Sequence, residues 1–341
     1  MAANRTQADA AVRLPLWAGQ IGIQHSHAAG KMKAMRTLTA DFQVVGVVES
    51  NGKSRARAEG QSPYDGLRWM EENELLTMPE VRVVAVETGI DDLTATARRC
   101  LAAGKHIHLD KPGGQDHAAF RDMRLAAEAA GLTVQMGYML RYNPAFELLF
   151  RGAREGWFGD ILEVDASMGK WADPELRKEL AAYPGGGMFE LACHVVDAVV
   201  TLLGKPVAVT PFVRRVGTEG AEFADHQLAV LEYAKALVTV RCNHRDPHGN
   251  PRRRFHVAGT RGTMAIEPLE SGKVRLMLDR PAGGYAKGVH ELSLPVKGGR
   301  YDGEFADLAQ VVRGEKRFAW NAAHDIAVHE TVLRASGMVP R

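Results

Sequence analysis

Leu16-Trp17-Ala18-Gly19-Gln20-Ile21-Gly22-Ile23-Gln24-His25-Ser26-His27-Ala28 decides how the first half of the chain is read. It begins inside an apolar run, Leu14 to Ile23, that predicts a strand, and it ends in a segment, His25 to Thr39, that predicts a helix. A strand that meets a glycine and turns at once into a helix opens a β-α-β unit. The alternation repeats outward from there. Phe42 to Glu49 is a β-branched strand, and Val81 to Glu87 is another, followed by a helical run from Asp92 to Ala103. His106 to Asp110 reads as a strand, Ala118 to Ala130 as a helix, and Thr133 to Met139 closes the series. Repeated units of this kind predict a parallel sheet with helices on both faces. Such sheets take ligands where the strands end at their carboxyl edge.

The pattern changes after Asn143. A helix through Arg151 leads to a strand at Ile161 to Met168, and a glycine-started helix is expected from Gly187 to Leu203. Strand-like runs then follow at Val207 to Val213, Gln227 to Leu231, Leu237 to Cys242, Arg254 to Ala258, Thr263 to Ile266 and Lys273 to Met277. Consecutive strands with hairpin-like turns predict a mostly antiparallel sheet in an α+β domain. Helices near Phe305 to Arg313 and Ala322 to Ser336 are expected to pack back on the first domain. A chain of 341 residues suits two domains, and we divide it into residues 1–142 and 143–341.

Composition narrows the function classes. With 45% hydrophobic and 25% charged residues the chain reads as soluble and globular. A net charge of +2 gives no footprint for nucleic acid, and the short basic cluster Arg252 to Arg254 reads as a solvated face or a substrate-loop feature. Cys100, Cys193 and Cys242 are scattered and odd in number, so neither a disulfide framework nor a zinc knuckle is expected. Met1 to Arg13 lacks the apolar core of a secretory signal, and no window is long and apolar enough for a membrane span. The expected address is the cytoplasm, with no membrane partner.

Three stretches carry chemistry. At the first strand–helix junction a dinucleotide fold wants G-x-G-x-x-G/A, so that backbone approaches the pyrophosphate at a helix N-terminus. Gly22 matches, while Gln24 and His27 stand at the second and third glycine positions. Ile23 and His25 complete this candidate cofactor turn, with Thr88 expected beside it after the Val81 to Glu87 strand. Glu49 follows Gly22 by 27 residues and ends the next strand, where a carboxylate accepts from ribose hydroxyls and repels a 2′-phosphate. That favours NAD; Ser50, Lys53 and Arg55 close by keep NADP open. The second stretch is Asp110-Lys111-Pro112, which puts a lysine at the carboxyl end of a parallel strand ahead of a proline. The third is Gly185 to Asp197, in which Glu190, His194 and Asp197 at i, i+4 and i+7 share one face of a single helix. A carboxylate one turn from a histidine can orient it and set its pKa.

Together these stretches resemble the glucose–fructose oxidoreductase / inositol dehydrogenase / MocA (Gfo/Idh/MocA) family, over nearly the whole chain. Asp110-Lys111-Pro112 looks like that family's Glu-Lys-Pro motif, and Gly185 to Asp197 is similar to its G-G-G-x-x-D-x-x-x-H-x-x-D segment, with Glu190 for the Asp. Gly137 to Pro144 resembles the segment joining the two domains, and Gly259 to Thr263 the turn late in the second sheet. The resemblance implies an N-terminal Rossmann domain and a C-terminal domain whose open sheet mediates oligomers, here a homodimer or homotetramer. It implies hydride transfer between NAD(P) and a sugar, inositol or related polyol carbon. Carried over, Lys111, Glu190 and His194 take the catalytic roles, and Asp110, Lys111 and Pro112 join the cofactor set. Tyr138, Arg141, Asn143, Trp171 and Asp197 are candidates for gripping substrate hydroxyls. The alternatives are a redox-neutral sugar-modifying enzyme with tightly held NAD, and a non-catalytic sugar or nucleotide sensor. No metal is expected: a hydrolase centre from His25, His27, Glu190 and His194 is disfavoured because His25 and His27 stand two apart at a turn, poor spacing for a shared site.

Overall fold

The computed structural model describes residues 14–25, 27–217 and 222–340. Met1 to Arg13, expected to carry no signal, and Ser26 of the first turn lie outside the described residues. The first sheet comprises β1 (Leu16–Ile21), β2 (Phe42–Val48), β3 (Trp69–Met70), β4 (Val81–Val86), β5 (His106–Leu109) and β6 (Val134–Met136). All pairs are parallel, in the order β3-β2-β1-β4-β5-β6. Val83, Val84, Ala85 and Val86 have no exposed surface, which is why β4 after Arg82 is an unbroken apolar run rather than an alternating one. The helices are α1 (Ala28–Thr37), α2 (Gly52–Ala58), α3 (Glu72–Thr77), α4 (Leu93–Ala102) and α5 (His117–Ala129). The strand order reverses between β1 and β4, and the crevice there opens at Gly22 and Thr88.

Helix α1 starts at Ala28, so His25 and His27 belong to the turn and not to the helix expected from His25. The short α2, α3 and β3 were not expected. Helix α2 is polar and owes its start to the Asn51 side chain, which accepts from the amides of Lys53 and Ser54.

A short 3-10 turn at Met139–Tyr142 leads into α6 (Pro144–Arg154). Next come β7 (Ile161–Ser167), α7 (Pro174–Leu180), α8 (Gly186–Glu190) and α9 (Cys193–Leu203). The remaining strands are β8 (Ala208–Arg214), β9 (His226–Glu232), β10 (Leu237–Asn243), β11 (Arg254–Gly259), β12 (Gly262–Ile266), β13 (Lys273–Leu278) and β14 (Gly288–Ser293). With β7 they form an eight-stranded sheet ordered β14-β13-β12-β11-β7-β10-β9-β8, antiparallel except for the β7–β10 pair. Phe255, Val257, Val238 and Val240 point to the buried face, while Phe212, Leu228 and Val230 stand together on the open one.

The helix expected from Gly187 to Leu203 is two helices, broken at Leu191 and Ala192. The Glu190 carbonyl accepts from Lys111 Nζ at 2.5 Å and from Cys193 Sγ at 3.3 Å, so it is drawn out of the helical ladder. Glu190 and His194 are therefore not on one continuous helical face. Finally, α10 (Asp302–Val312) packs on α1 and β5, and α11 (Ala322–Ala335) packs on α5, α9 and β8. His108 of β5 ties α10 down, through a 2.6 Å contact of its Nε2 with Glu304 Oε2 and a ring stacked on Phe305.

Candidate active site

Strand β5 delivers Asp110 and Lys111 to the carboxyl edge, and the Lys111–Pro112 peptide is cis. The following loop is pinned from two sides. Thr94 Oγ1 donates to the Gly113 carbonyl at 2.6 Å, and His329 Nε2 donates to that of Gly114 at 2.9 Å. Gly113 and Gly114 have φ of +99° and +113°, a region costly for other residues. Lys111 is buried and donates to both the carboxylate and the carbonyl of Glu190. Burial by itself would discharge the amine, but the Glu190 carboxylate outweighs it and raises the lysine's pKa. Glu190 is pulled down to about 2: burial opposes its charge, and the lysine wins.

His194 begins the first turn of α9, edge-on to the Tyr138 ring at 6.0 Å. Burial first, and then the Lys111 cation, hold its pKa well below the ordinary value of 6.5. The imidazole is therefore neutral near neutral pH and able to accept a proton. Its Nδ1 is enclosed without a partner. Glu190 and His194 both line a polar cavity of about 550 Å³, together with His27 and Tyr301 from the first sheet's side and Lys170 and Arg253 from the second.

Four of the residues expected to hold the cofactor share one cleft, while Ile23 and His25 border another and His27 the polar cavity. Gly22 has φ +89°, and a Cβ there would come within 2.5 Å of the Thr88 amide, so only glycine lets the two strand ends approach this closely. Gly22, Gln24, Glu49 and Thr88 line one cleft of about 200 Å³. Thr88 Oγ1 is buried without a partner. Glu49 accepts from the amides of Ile23 at 3.1 Å and Asn51 at 2.8 Å, which fixes its carboxylate at the cleft wall. A cradle closed to any Cβ, an orphan hydroxyl and a fixed carboxylate suit a dinucleotide. His25 and His27 face Asp110, and Pro112 is buried beneath.

The expected substrate residues separate. Tyr138 stays beside His194, although it is buried. Arg141 and Asp197 are corrections. Asp197 is fully buried and accepts from Arg141 at 2.6 Å, and the same guanidinium reaches Asp325 at 2.8 Å, so neither side chain is presented to the cavity. Asn143 caps α6 by accepting from the Ala145 amide, and it borders a different cavity. Trp171 is 48% exposed under the Arg245 guanidinium and does not line the polar cavity. Arg253 places the basic cluster's substrate-loop reading at the cavity, while Lys170 and Arg300, which also line it, were not expected as site residues, since their long-range placement has no local spacing signal. Nor was Lys31, which lies buried between Glu87 and Asp110 at 3.0 and 2.5 Å.

A parallel doubly wound sheet with a Gly22 turn, joined to an open sheet across a lysine–glutamate–histidine cavity, defines a dinucleotide-binding oxidoreductase architecture. Residues 18–138 match the description "Oxidoreductase family, NAD-binding Rossmann fold", and residues 151–265 match "GFO/IDH/MocA C-terminal domain". The chain belongs to the Gfo/Idh/MocA family of oxidoreductases. It is 26% identical over 213 residues to the uncharacterized oxidoreductase YhhX of Escherichia coli, across 62% of this chain and 61% of that one. It is 27% identical over 183 residues to human trans-1,2-dihydrobenzene-1,2-diol dehydrogenase (53% and 55%), and 25% over 186 residues to scyllo-inositol 2-dehydrogenase (NADP(+)) IolW of Bacillus subtilis (54% and 51%). The match thus spans from about half to three-fifths of these relatives' length. The solved structure of YhhX superposes with a TM-score of 0.75 at 20% identity, over 96% of this chain and 98% of that one. A levoglucosan dehydrogenase in complex with NADH and levoglucosan gives 0.79 at 17% identity, over 95% and 97%. Among the described residues no helix is long and apolar enough to cross a membrane.

Proposed function

We propose that this chain transfers a hydride between a nicotinamide cofactor and a hydroxyl-bearing carbon of a sugar, inositol or related polyol. One observation carries the reading. Glu190, paired with the charged and fully buried Lys111 behind it, and a neutral histidine line one polar cavity, at the carboxyl edge of the parallel sheet. The Gly22 turn and Thr88 would hold the pyrophosphate, and Glu49 the adenosine ribose, which favours NAD over NADP. When bound, the nicotinamide supplies the hydride donor or acceptor. With Nδ1 of His194 sealed off, Nε2 is the nitrogen that takes the substrate's hydroxyl proton. Lys111 stabilises the developing negative charge on that oxygen, and Glu190 holds the lysine in place. Polar walls from Lys170, Asp173 and Glu179 offer partners to further hydroxyls, as a polyol requires.

Dihydrodiol and scyllo-inositol dehydrogenases among the relatives support this substrate class. Three free, buried thiols fit a cytoplasmic setting. The Phe212, Leu228 and Val230 patch on the open sheet supports a homo-oligomer through that face, and Phe212→Glu should shift the sedimentation profile toward monomer. The direct test is a panel of sugars and inositols with NAD and with NADP, followed by nicotinamide absorbance. Polyol-dependent reduction is expected. Failure to bind either cofactor would overturn the reading, and turnover without net reduction would move it to redox-neutral chemistry.

A further inference from the structure

His25 and His27 were expected to stand too close in sequence to share a site, yet the fold aims both at one oxygen. His27 Nδ1 lies 3.3 Å and His25 Nδ1 3.7 Å from Asp110 Oδ2, and the three candidate ligand atoms all fall within 4.8 Å of one another. Zinc binds imidazole nitrogen and carboxylate oxygen at roughly 2.0–2.2 Å, so two ligands of a tetrahedral ion stand about 3.4 Å apart. The two histidine–aspartate distances bracket that value.

Lys31 lies between Glu87 and Asp110, and the Glu304 carboxylate lies behind, on His108. Lys31 also has an orienting effect. Its bond to Asp110 Oδ1 turns Oδ2 toward the imidazoles, as an outer partner does for a metal-binding carboxylate. His25 Nε2 is enclosed without a partner, which leaves Nδ1 as that ring's working nitrogen. His27 borders the 550 Å³ cavity, so a fourth position would open toward it for water or an anionic oxygen.

We propose that His25 Nδ1, His27 Nδ1 and Asp110 Oδ2 form a three-ligand site for a divalent transition-metal cation, with zinc the best match to the donor set. The site lies in the turn that precedes α1, where an ion would stand between Asp110 and any anion approaching the helix start. It does not depend on the hydride-transfer reading, because metal content reports on it directly.

The test uses the tag-free full chain, stripped with chelator and dialysed against zinc chloride or cobalt(II) chloride. Expected are about one zinc per chain by elemental analysis, and cobalt absorption of the intensity typical of four-coordinate sites. His25→Ala and His27→Ala should each lower retained zinc by roughly 10-fold or more, with the far-ultraviolet circular dichroism unchanged. Asp110→Asn should do the same, but its burial puts folding at risk, so the two histidine variants decide. Retention below about a tenth of an ion per chain, or retention unaltered in both histidine variants, overturns the site. NAD affinity measured on the same preparations reports separately on the hydride-transfer reading.

Discussion

Two buried ion pairs lie within two helical turns of each other in the chain, and they have different surroundings. At Glu190, the pair with Lys111 borders a cavity and stands beside a neutral histidine. At Asp197, the carboxylate accepts from Arg141, contacts His324 Nε2 at 3.2 Å, and belongs to a network in which Asp325 also meets Arg124 at 2.8 Å. Arg141 is further covered by Tyr138 and Trp320, 5.0 and 4.6 Å from its guanidinium carbon. Both clusters are charged and out of bulk water. The difference is what remains available. The Arg141 cluster is turned toward protein partners and links α9 to α11, although Arg141 Nη1 is left without a partner, whereas the Lys111 pair reaches open space through Glu190. A buried charge paired within the protein and away from any cavity serves the fold, and one that borders a cavity can serve a ligand.

The largest effect should come from the open cluster. His194→Ala and Lys111→Ala are each expected to lower turnover per folded molecule by about 10²–10⁴, with Lys111→Ala also losing stability because it leaves Glu190 unpaired. Steady-state kinetics with a polyol from the panel would show it, and near wild-type rates in both variants would erase the distinction between the two clusters. In the closed cluster the sign of the outcome reverses. Asp197→Ala strands a buried guanidinium and should cost about 3–5 kcal/mol of stability in denaturant titrations, with turnover per folded molecule close to wild type. A large loss of turnover with stability intact would return Asp197 to the substrate. Glu190→Gln keeps the shape of the open cluster and removes its charge, so a loss of roughly 10-fold in kcat/KM is expected, from about 1.4 kcal/mol.

The smallest effect is a pH dependence at the support of the Lys111 loop. His329 is held down to about 4 by burial, while its ordinary value is 6.5. Between those values the unfolded chain binds a proton that the folded chain refuses. The contribution is therefore complete above pH 6.5 and is lost as pH falls toward 4, by at most about 1.4 kcal/mol per pH unit. His329→Gln should flatten that part of a stability-against-pH curve, and an unchanged slope would show that this histidine does not titrate as its burial requires.

Much of the molecule is legible in the order of its residues. Apolar runs such as Val81 to Val86 and glycine-started helices signal a parallel sheet followed by a mostly antiparallel one, and both are present. Lys111, Glu190 and His194 are legible because each sits in a short motif with its own local grammar. Helices α2, α3 and α7 are not, since they are short, polar and held by caps at Asn51 and Asp173 or by neighbours rather than by apolar periodicity. The break at Leu191 is equally hidden, because the Glu190 carbonyl there is taken by a lysine 79 positions away.

The amino-acid order alone determined the alternation of strand and helix, the glycine at the first turn and the residue types available for proton and charge chemistry, all of them consequences of local backbone and side-chain preference. Only the tertiary structure decided which charges are spent on each other and which remain. It took Arg141 and Asp197 out of the candidate site, and it brought His25, His27 and Asp110 to one point. Local preference acts over a few residues, whereas pairing and burial of charge depend on which distant segments the folded core makes neighbours.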